Sequence, residues 1–254
     1  MAKTDLVEKT MNVPYGLNII ESCLTCKFRE DRLFCQLSPA ALKKLSSIKS
    51  TAMYPKGALL FIEGQLPRGV FILCQGKAKL STSSKDGKTI ILKIAEPGEV
   101  LGLSATVSGR PYEVSVELME PTQANFIARD HFLTFLRENG DAALRVAEQL
   151  SENYHSAYEE IRTLGLSASA SEKLAKLILE WSADAGSSKG LGNGKNPLKL
   201  KVGLTHEEIA EMIGTSRETV SRLFSDFKKK QLLEVKGSTL TIRNRAALER
   251  IIQS

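Results

Sequence analysis

The spacing of hydrophobic residues changes along the chain. From about Ser50 to Arg129, short apolar runs are separated by glycine and proline turns, which is typical of the strands of an antiparallel β-roll or barrel. From Asp141 onward the apolar positions recur every three or four residues, which indicates helices. We therefore expect an α+β protein that begins with a β-roll, continues through a long helix and ends in a domain of short helices.

The segment Leu204–Phe227 carries the clearest helical pattern. Thr205 is a predicted N-cap because Glu208 follows three residues later, which is the arrangement of a capping box. Gly214 then interrupts the apolar pattern, and Ser216 can cap a second helix directly afterwards. Two short helices joined by so tight a turn predict a helix-turn-helix.

The second of these helices separates into an apolar and a polar face. Its apolar residues share one side and should pack inward: Val220, Leu223, Phe224 and Phe227. Its polar residues lie on or beside the opposite side, near the N-terminus: Ser216, Arg217, Glu218, Ser221 and Arg222. Arginine can bond to O6 and N7 of guanine and a carboxylate can accept from the cytosine amino group, so this face suits G·C pairs in a major groove. A solvated Glu218–Arg222 ion pair is the alternative, worth only about 0.3 kcal/mol.

Basic residues and a predicted hairpin follow the second helix. Lys228 lies at the negative end of the helix dipole, and two strand-like runs flank a turn at Lys236–Ser238. This hairpin would form the wing of a winged helix. The residues expected to contact DNA are therefore Thr205, Ser216, Arg217, Glu218, Thr219, Ser221, Arg222, Lys228 and Lys236.

The segment Gly214–Ile242, GTSRETVSRLFSDFKKKQLLEVKGSTLTI, closely resembles the DNA-binding domain of the Crp/Fnr family of bacterial transcription regulators. Residues Tyr54–Leu80 resemble the opening of a cyclic-nucleotide-binding β-roll. The resemblance implies a sequence-specific regulator that binds an inverted-repeat operator in double-stranded DNA as a homodimer. It also implies RNA polymerase as a partner, and a sensing role for the roll.

The resemblance offers two half-sites for the recognition helix. In the Crp branch an Arg-Glu pair and a second Arg contact TGTGA, and Arg217, Glu218 and Arg222 match that pattern. In the Fnr branch Glu, Ser and Arg read TTGAT, which Glu218, Ser221 and Arg222 match. Both half-sites contain a GA step, so an inverted repeat with GA-containing arms is expected in either case.

The residues that hold cyclic AMP in the similar β-rolls are replaced in this chain. Gly98–Gly102 provides the expected turn, but Leu103 occupies the position of the ribose-binding carboxylate. Tyr112 and Glu113 stand where an Arg-Ser pair would grip the phosphate, and an acidic side chain there repels it. Arg110 can substitute only in a shifted register. We therefore expect cyclic AMP not to bind, and the roll to be a scaffold or a pocket for another ligand.

Three of the four cysteines lie near the N-terminus: Cys23, Cys26 and Cys35. Two thiolates separated by two residues can bind one metal centre from a single turn, and Cys35 can add a third. Cys74 is the best candidate for a fourth ligand, and a non-cysteine ligand such as a His or a carboxylate is the alternative. The group resembles the cysteines that hold an oxygen-sensitive iron–sulfur cluster in the Fnr branch. Cys35 comes later than in that pattern, however, and Asn125 stands roughly where that branch has its fourth cysteine. An iron–sulfur cluster is therefore expected, with zinc, or metal-free buried or surface thiols, as alternatives.

The long helix carries apolar residues at alternating intervals of three and four: Ala147, Leu150, Tyr154, Ala157, Ile161 and Leu164. This spacing is typical of the seam of a two-stranded coiled coil, and a dimer would allow two half-sites to be read. Packing of the same stripe on the chain's own roll is the alternative. We therefore expect a homodimer through this helix.

Positive charge is concentrated in the C-terminal part of the chain. Residues 165–254 contain 15 Lys and Arg against 10 Asp and Glu, a net charge of +5, whereas residues 1–164 contain 20 against 19, a net charge of +1. A basic C-terminal domain suits phosphate binding. The expected division is a cysteine segment at 1–36, a sensor roll at 37–140, a dimerisation helix at 141–166 and a winged helix-turn-helix at 167–254.

Other classes of function find less support in the sequence. No apolar run approaches the roughly 18 residues that span a bilayer, and the N-terminus lacks the apolar core of a signal peptide, so we expect a cytoplasmic protein without membrane contact. No Ser/His/Asp group or phosphate-binding Gly-Lys loop is visible, so we do not expect an enzyme. A small-molecule-binding regulatory roll with structural cysteines is the alternative. Such rolls attached to kinases or channels lack a winged helix, which this chain is expected to have.

Overall fold

The computed structural model describes residues 14–17, 19–20, 22–26, 28–165, 169–187 and 199–252. The chain divides into two compact units, Met1–Thr82 with Leu92–His155, and Ser83–Ile91 with Ser156–Ser254. Most of a β-roll lies in the first unit, and the second contains short helices and a small sheet. Among the described helices, none has the length and apolar character needed to cross a membrane.

Short antiparallel strands build the roll, as the sequence predicts. They are β1 Ser50–Tyr54, β2 Leu59–Phe61, β3 Gly69–Gln75, β4 Ala78–Ser83, β5 Thr89–Ala95, β6 Val100–Leu101, β7 Ser115–Leu118 and β8 Thr122–Ala128. One sheet has the order β1-β8-β3-β6 and the other β2-β7-β4-β5. Strand β3 pairs with β8 in the middle of the first sheet and is buried on both faces, which explains its almost continuous apolar sequence.

Two hydrophobic clusters stabilise this unit. The first fills the interior of the roll with Phe61, Leu73, Leu101, Tyr112, Val116 and Leu118. The second joins the β1-β8-β3-β6 sheet to the helices α1 Pro39–Ile48 and α3 Arg129–Glu138 and to the start of α4 Gly140–Gly165. Its large buried side chains include Phe34, Leu42, Leu45, Ile72, Phe132 and Phe135. Each fully buried side chain of this size contributes about 1.5–3 kcal/mol.

Hydrogen bonds hold helices α1 and α4 in place. Ser38 caps α1 by accepting from the Ala41 N–H at 3.2 Å, and Pro39 takes the first helical position, as the sequence predicts. The Ser38 N–H donates to Asp141 Oδ2 at 2.8 Å, which ties the start of α1 to the start of α4. Further along α4, the amide of Gln149 donates to the Val100 carbonyl at 2.9 Å and accepts from its N–H at 3.2 Å. Helix α4 is thereby held against strand β6.

The second unit is a winged helix-turn-helix. Its elements are α5 Ala170–Ser187, β9 Lys199–Lys201, α6 His206–Ile213, α7 Arg217–Lys229, β10 Leu233–Lys236, β11 Thr239–Ile242 and α8 Arg245–Ile252. Helix α2 Leu103–Ser108 belongs to the first unit, whose described residues also form short 3-10 helices at Pro14–Gly16, Arg29–Asp31 and Leu33–Cys35. The strands pair antiparallel in the order β10-β11-β9. A single cluster forms the core of this unit, including Leu174, Ile178, Ile209, Ile213, Val220, Phe227 and Leu240. Trp181 packs against this core, as expected.

The structure departs from the predicted elements at three places. Helix α2 was not expected, because six residues after Gly102 are too few to show a helical period. Residues 185–187 belong to helix α5, whereas the sequence predicts a loop from 185 to 196; residues 188–196 lie outside the described part. The sequence predicts a flexible lead over residues 1–20, of which residues 1–13 and 18 lie outside the described part. Within the described part, the buried side-chain amide of Gln123 donates to the Ile20 carbonyl at 2.7 Å and accepts from the Ile20 N–H at 2.8 Å, which fixes Ile20.

Candidate DNA-reading helix and cysteine site

Helix α6 is fixed at both ends by the predicted residues. The Glu208 N–H donates to Thr205 Oγ1 at 3.2 Å and the Glu208 carboxylate accepts from the Thr205 N–H at 2.8 Å, so the capping box is confirmed. Gly214 ends the helix with φ +65°, a conformation that glycine adopts without strain. Thr205 therefore has a structural role, and its contact with DNA stays a prediction.

Helix α7 has the two faces that its sequence predicts. Ser216 caps it by accepting from the Thr219 N–H at 3.2 Å, and the hydroxyls of Ser216 and Thr219 lie 3.1 Å apart. Val220, Phe224 and Phe227 are buried, and Leu223 is partly buried against the same core. The cap and the apolar face together orient the N-terminal turn of α7.

The outward face of α7 presents charged side chains to solvent. Arg217, Glu218 and Arg222 are exposed. The pKa of Glu218 is lowered by its own backbone N–H at the start of the helix, by Ser216 and by Arg217, so Glu218 remains a carboxylate and an acceptor. Two guanidinium groups and one acceptor are thus available on the first turns of a capped helix, the arrangement suited to the edges of G·C pairs.

Ser221, on the same helix, is hydrogen-bonded to the neighbouring helix α6. Its hydroxyl lies 2.9 Å from Nδ1 of His206 on helix α6, a hydrogen bond in which either group donates according to the imidazole tautomer. The His206 ring stacks on Phe224, with centroids 5.0 Å apart and planes within 4° of parallel. Burial lowers the pKa of His206, as do the charges of Lys228 and Arg217. A neutral imidazole therefore holds the Ser221 hydroxyl on the α6 side.

The β10–β11 hairpin forms the predicted wing. Lys236 lies at its turn with a largely exposed ammonium group, and that group contacts Glu234 at 2.9 Å. Glu234 is also paired with Arg243, and its bonds to Lys236 and Arg243 lower its pKa to about 2. Lys236 is thus paired within the wing, while Lys228 is exposed at the C-terminal turn of α7. Contacts of both lysines with DNA phosphates stay predictions.

Tyr112 contacts the Gly102 turn directly. Tyr112 is 4% exposed, its ring stacks on Phe61 at 3.9 Å between centroids, and its hydroxyl donates to the Gly69 carbonyl at 2.8 Å. A Cβ atom on Gly102 would lie only 2.8 Å from Cε1 of Tyr112, so the ring lies directly on the turn. Leu103 is buried in the core. Aromatic and aliphatic side chains therefore take the positions of the polar groups that a cyclic nucleotide needs.

Cys23 interacts electrostatically with each of the other three cysteines. Cys23, Cys26 and Cys35 are half-buried and Cys74 is buried, and all are free thiols. Burial raises the pKa of the Cys35 thiol to about 11 and that of Cys74 to about 12. Cys23 raises both pKa values further, Cys26 raises that of Cys35, and Cys35 raises that of Cys74. Cys23 and Cys35 therefore influence the pKa of Cys74, although Cys23 and Cys74 are 51 positions apart in sequence.

The four thiols do not surround a common point. Across the part of the chain that the structure describes, no three His, Cys, Asp or Glu side chains are grouped closely enough to hold one metal ion. Lys49 lowers the pKa of Cys23 and of Cys74, and Arg32 lowers that of Cys35 and Cys74, so positive charge also surrounds the cysteines. Burial outweighs these charges, so the pKa values of Cys23, Cys35 and Cys74 remain raised and the protonated thiols are favoured.

Comparison with known domains covers both units. Residues 52–139 match the cyclic nucleotide-binding domain, and residues 172–251 match the Crp-like helix-turn-helix domain. The chain belongs to the Crp/Fnr family. It is a transcription regulator of the Crp/Fnr type with a helix-turn-helix DNA-binding domain.

Relatives of the Crp/Fnr type align over most of their length. The chain is 26% identical over 219 residues to the cyclic AMP receptor protein of Thermus thermophilus, and 23% identical over 218 residues to the CRP-like cAMP-activated global transcriptional regulator of Mycobacterium tuberculosis. Each alignment covers 86% of this chain and 95% of the relative. The structure of a CooA variant from Carboxydothermus hydrogenoformans is 25% identical, with a TM-score of 0.68 over 85% of this chain and 91% of that one. The relatives are regulators and not enzymes.

Helix α4 exposes an apolar stripe that differs in part from the expected one. Leu150 does not face outward, because it packs against the core of the chain's own first unit. Of the other expected residues, Ala147, Tyr154, Ala157 and Ile161 are exposed, and the side chain of Leu164 lies outside the described part. Leu144 and Tyr158 lie outside the predicted set of seam residues, and they are 58% and 52% exposed. Consecutive members of the exposed set 144, 147, 154, 158 and 161 are three, four or seven residues apart in sequence.

Sequence reasoning missed two residues that lie beside the predicted sites. From sequence, His206 in the first turn of α6 suggests a phosphate contact, whereas the structure bonds it to Ser221 on the adjacent helix, 15 residues later in the chain. Asn125 was noted only as a replacement for a cysteine, whereas its side chain contacts Cys74. Both contacts join separate elements, and no local spacing in the sequence indicates them.

Proposed function

We propose that this regulator binds an inverted-repeat operator as a homodimer and is controlled through a metal centre held by its cysteines. The exposed Arg217, Glu218 and Arg222 on the first turns of the capped helix α7 carry the DNA-binding part of the proposal. Glu218 and Arg222 read the GA step of each arm. Because Ser221 is bonded to His206, we favour the residue set that contains Arg217 over the set that contains Ser221. The favoured set corresponds to TG(T/A)GA-like arms, and the other set corresponds to TTGA-like arms. Family membership further suggests RNA polymerase as a partner.

Dimerisation is supported by the exposed stripe on α4. Leu144 and Ile161 are 58% and 66% exposed, and large apolar side chains at heptad spacing along one helix are costly to leave in water. We infer that a second copy of the chain covers these side chains, because an inverted repeat has a two-fold axis that a two-fold dimer matches. The arms of the operator then lie about one helical turn, roughly 34 Å, apart.

The cysteines carry the sulfur donors that a thiolate-bound centre requires. Cys23, Cys26 and Cys35 would supply three ligands and Cys74 the fourth, provided that the open arrangement closes around the metal. Iron–sulfur is preferred to zinc, because the family resemblance of the cysteines is to the Fnr branch. A bound cluster would supply sensitivity to oxygen or nitric oxide. Burial raises the pKa of the Cys74 thiol, and the charges of Lys49 and Arg32 oppose that rise only in part.

Cyclic AMP is not the proposed effector, although two relatives carry its name. The ring of Tyr112 on Gly102 and the acidic Glu113 occupy the positions where the phosphate would be held. Glu113 accepts from the Ser104 hydroxyl at 2.8 Å, which fixes a negative group beside that turn.

The absorption spectrum and metal content of protein purified under argon test the metal centre. The expected result is a coloured protein with iron that loses its colour in air, and a Cys26→Ala protein with neither colour nor iron. Operator binding measured in air and under argon should differ for the wild type and be equal for Cys26→Ala. A metal-free wild type that binds its operator equally in both gases would contradict the proposed control.

A further inference from the structure

A histidine and a serine join the two helices of the helix-turn-helix. Nδ1 of His206, the first residue of α6, lies 2.9 Å from the hydroxyl oxygen of Ser221 on α7. The imidazole is stacked on Phe224 with the two ring planes 4° apart, so the ring is held with Nδ1 toward Ser221. Ser221 directly precedes the exposed Arg222. The pair therefore lies beside the surface that is proposed to read bases.

The protonation of the imidazole determines what the Ser221 hydroxyl can do. When Nδ1 carries no proton, it accepts, and the hydroxyl donates its only proton to the ring. When the ring is an imidazolium, both of its nitrogens carry protons, so Nδ1 can only donate. The Ser221 oxygen then accepts, and its own proton becomes available to another acceptor. One protonation on α6 thus converts an occupied donor on α7 into an available one.

The edges of the bases distinguish these two states of the hydroxyl. In the major groove, thymine O4 and guanine O6 are acceptors, whereas the amino groups of cytosine and adenine are donors. Only a hydroxyl whose proton is available can donate to thymine or guanine. One such hydrogen bond typically changes affinity by about 2–10-fold, and each arm of an inverted repeat would gain it once.

We propose that His206 is a specificity-determining residue, which keeps Ser221 from donating to a base while the ring is neutral and releases it when the ring is protonated. The inference rests on the proposed reading of an operator by α7. Acidification should therefore add a preference for thymine or guanine at the base that Ser221 faces. The pairs that Arg217 and Arg222 read should keep their preferences, because these guanidinium groups stay charged.

The groups around His206 determine the pH at which this change occurs. Partial burial of the ring lowers the pKa of His206 from its ordinary value of 6.5, as do the positive charges of Lys228 and Arg217 on α7. On α6 itself, Glu207 is the next residue, and Glu208 is bonded to the Thr205 N–H of the capping box. The ring is therefore neutral at pH 7.5, and its charged fraction grows as the pH falls toward 5.

Competition binding at pH 7.5 and pH 5.0, with every single-base variant of one operator arm, tests this inference. In the wild type, one base pair should gain about 2–10-fold preference for thymine or guanine at pH 5.0. His206→Phe retains a ring on Phe224 but has no Nδ1, so it should show this preference at both pH values. Ser221→Ala should show it at neither. His131→Gln/His155→Gln removes the other two histidines of the chain and should respond as the wild type does.

The NMR chemical shift of Nδ1 tests the hydrogen bond without DNA. In the wild type, Nδ1 of His206 should be unprotonated at pH 7.5 and become protonated as the pH is lowered. A protonated Nδ1 at pH 7.5 would overturn the inference. Circular dichroism of every variant excludes misfolding.

The outcomes separate this inference from the proposed reading of the operator. A wild type that prefers an inverted repeat but whose preference is the same at both pH values would overturn the inference alone. So would a response to pH that persists in Ser221→Ala, or an equal gain in affinity for all sequences at pH 5.0, which would indicate a phosphate contact instead. A wild type without sequence preference at either pH would overturn the proposed reading, and this inference with it.

Discussion

His206 holds the hydroxyl of Ser221 at 2.9 Å from its Nδ1 atom, across the turn between the two helices of the helix-turn-helix. In the tautomer in which the Ser221 hydroxyl donates to Nδ1, Ser221 has to exchange this bond for any bond that it donates to a base, because a hydroxyl has one proton. Arg217 and Arg222 are exposed and require no such exchange. The contact therefore distinguishes the two residue sets that the sequence leaves open for the recognition helix.

Replacement of Arg217 should affect one base pair only. If its guanidinium bonds to O6 and N7 of a guanine, Arg217→Ala should cost about 1–3 kcal/mol of binding free energy and relax preference at that pair. Ser221→Ala is the matched control on the same helix, and it should leave every base preference unchanged. Competition binding with single-base variants of the operator measures both effects. Relaxed preference in Ser221→Ala with full preference in Arg217→Ala would favour the TTGA-like arms instead.

Replacement of Lys228 should weaken binding to all sequences equally. A phosphate contact carries no sequence information, and its loss should lower the slope of log K against log salt by about 0.9. The slope is obtained from titrations at several salt concentrations. Lys56→Ala removes the same charge from an exposed turn of the roll and should leave the slope unchanged. Altered base preference in Lys228→Ala would show that this lysine reads bases.

The sequence predicts local features well and contacts between elements poorly. The caps at Ser38, Thr205 and Ser216 are each determined by residues within three positions, and the structure confirms all three. The orientation of α4 could not be predicted in the same way, because its apolar residues suit either a partner helix or the roll. Leu150 packs on the roll, and Leu144 is exposed instead. The nearness of Cys74 to Cys23 likewise depends on how the loop lies on the sheet, which no spacing in the sequence specifies.

The dimer is predicted to dissociate when charge is placed in the exposed stripe of α4. Leu144→Glu combined with Ile161→Glu would bury carboxylates between two copies, so sedimentation should show monomers that no longer bind the operator specifically. Ser156→Glu, an exposed position outside the stripe, should remain dimeric. Leu150 is unsuitable for this test because it packs against the chain's own core. A dimeric Leu144→Glu/Ile161→Glu protein would show that another surface pairs the subunits.

Cyclic AMP should neither bind nor activate. Tyr112 lies on the turn at Gly102, and Glu113 presents a carboxylate where the phosphate would be held, so binding lacks both space and charge complementarity. Calorimetric titration should show no binding at micromolar concentrations, and cyclic AMP should not change operator affinity. A micromolar dissociation constant, or a tenfold gain in operator affinity, would overturn this prediction.

Selection of binding sites from random double-stranded DNA tests whether helix α7 reads the operator. The dimer, kept under argon, is allowed to enrich its preferred sequences, which are then determined. We predict an inverted repeat with GA-containing arms of the TG(T/A)GA type, about one helical turn apart. The same selection with Arg222→Ala should lose preference at one position of each arm. Enrichment of no GA-containing inverted repeat, or an unchanged result with Arg222→Ala, would show that helix α7 does not read the operator.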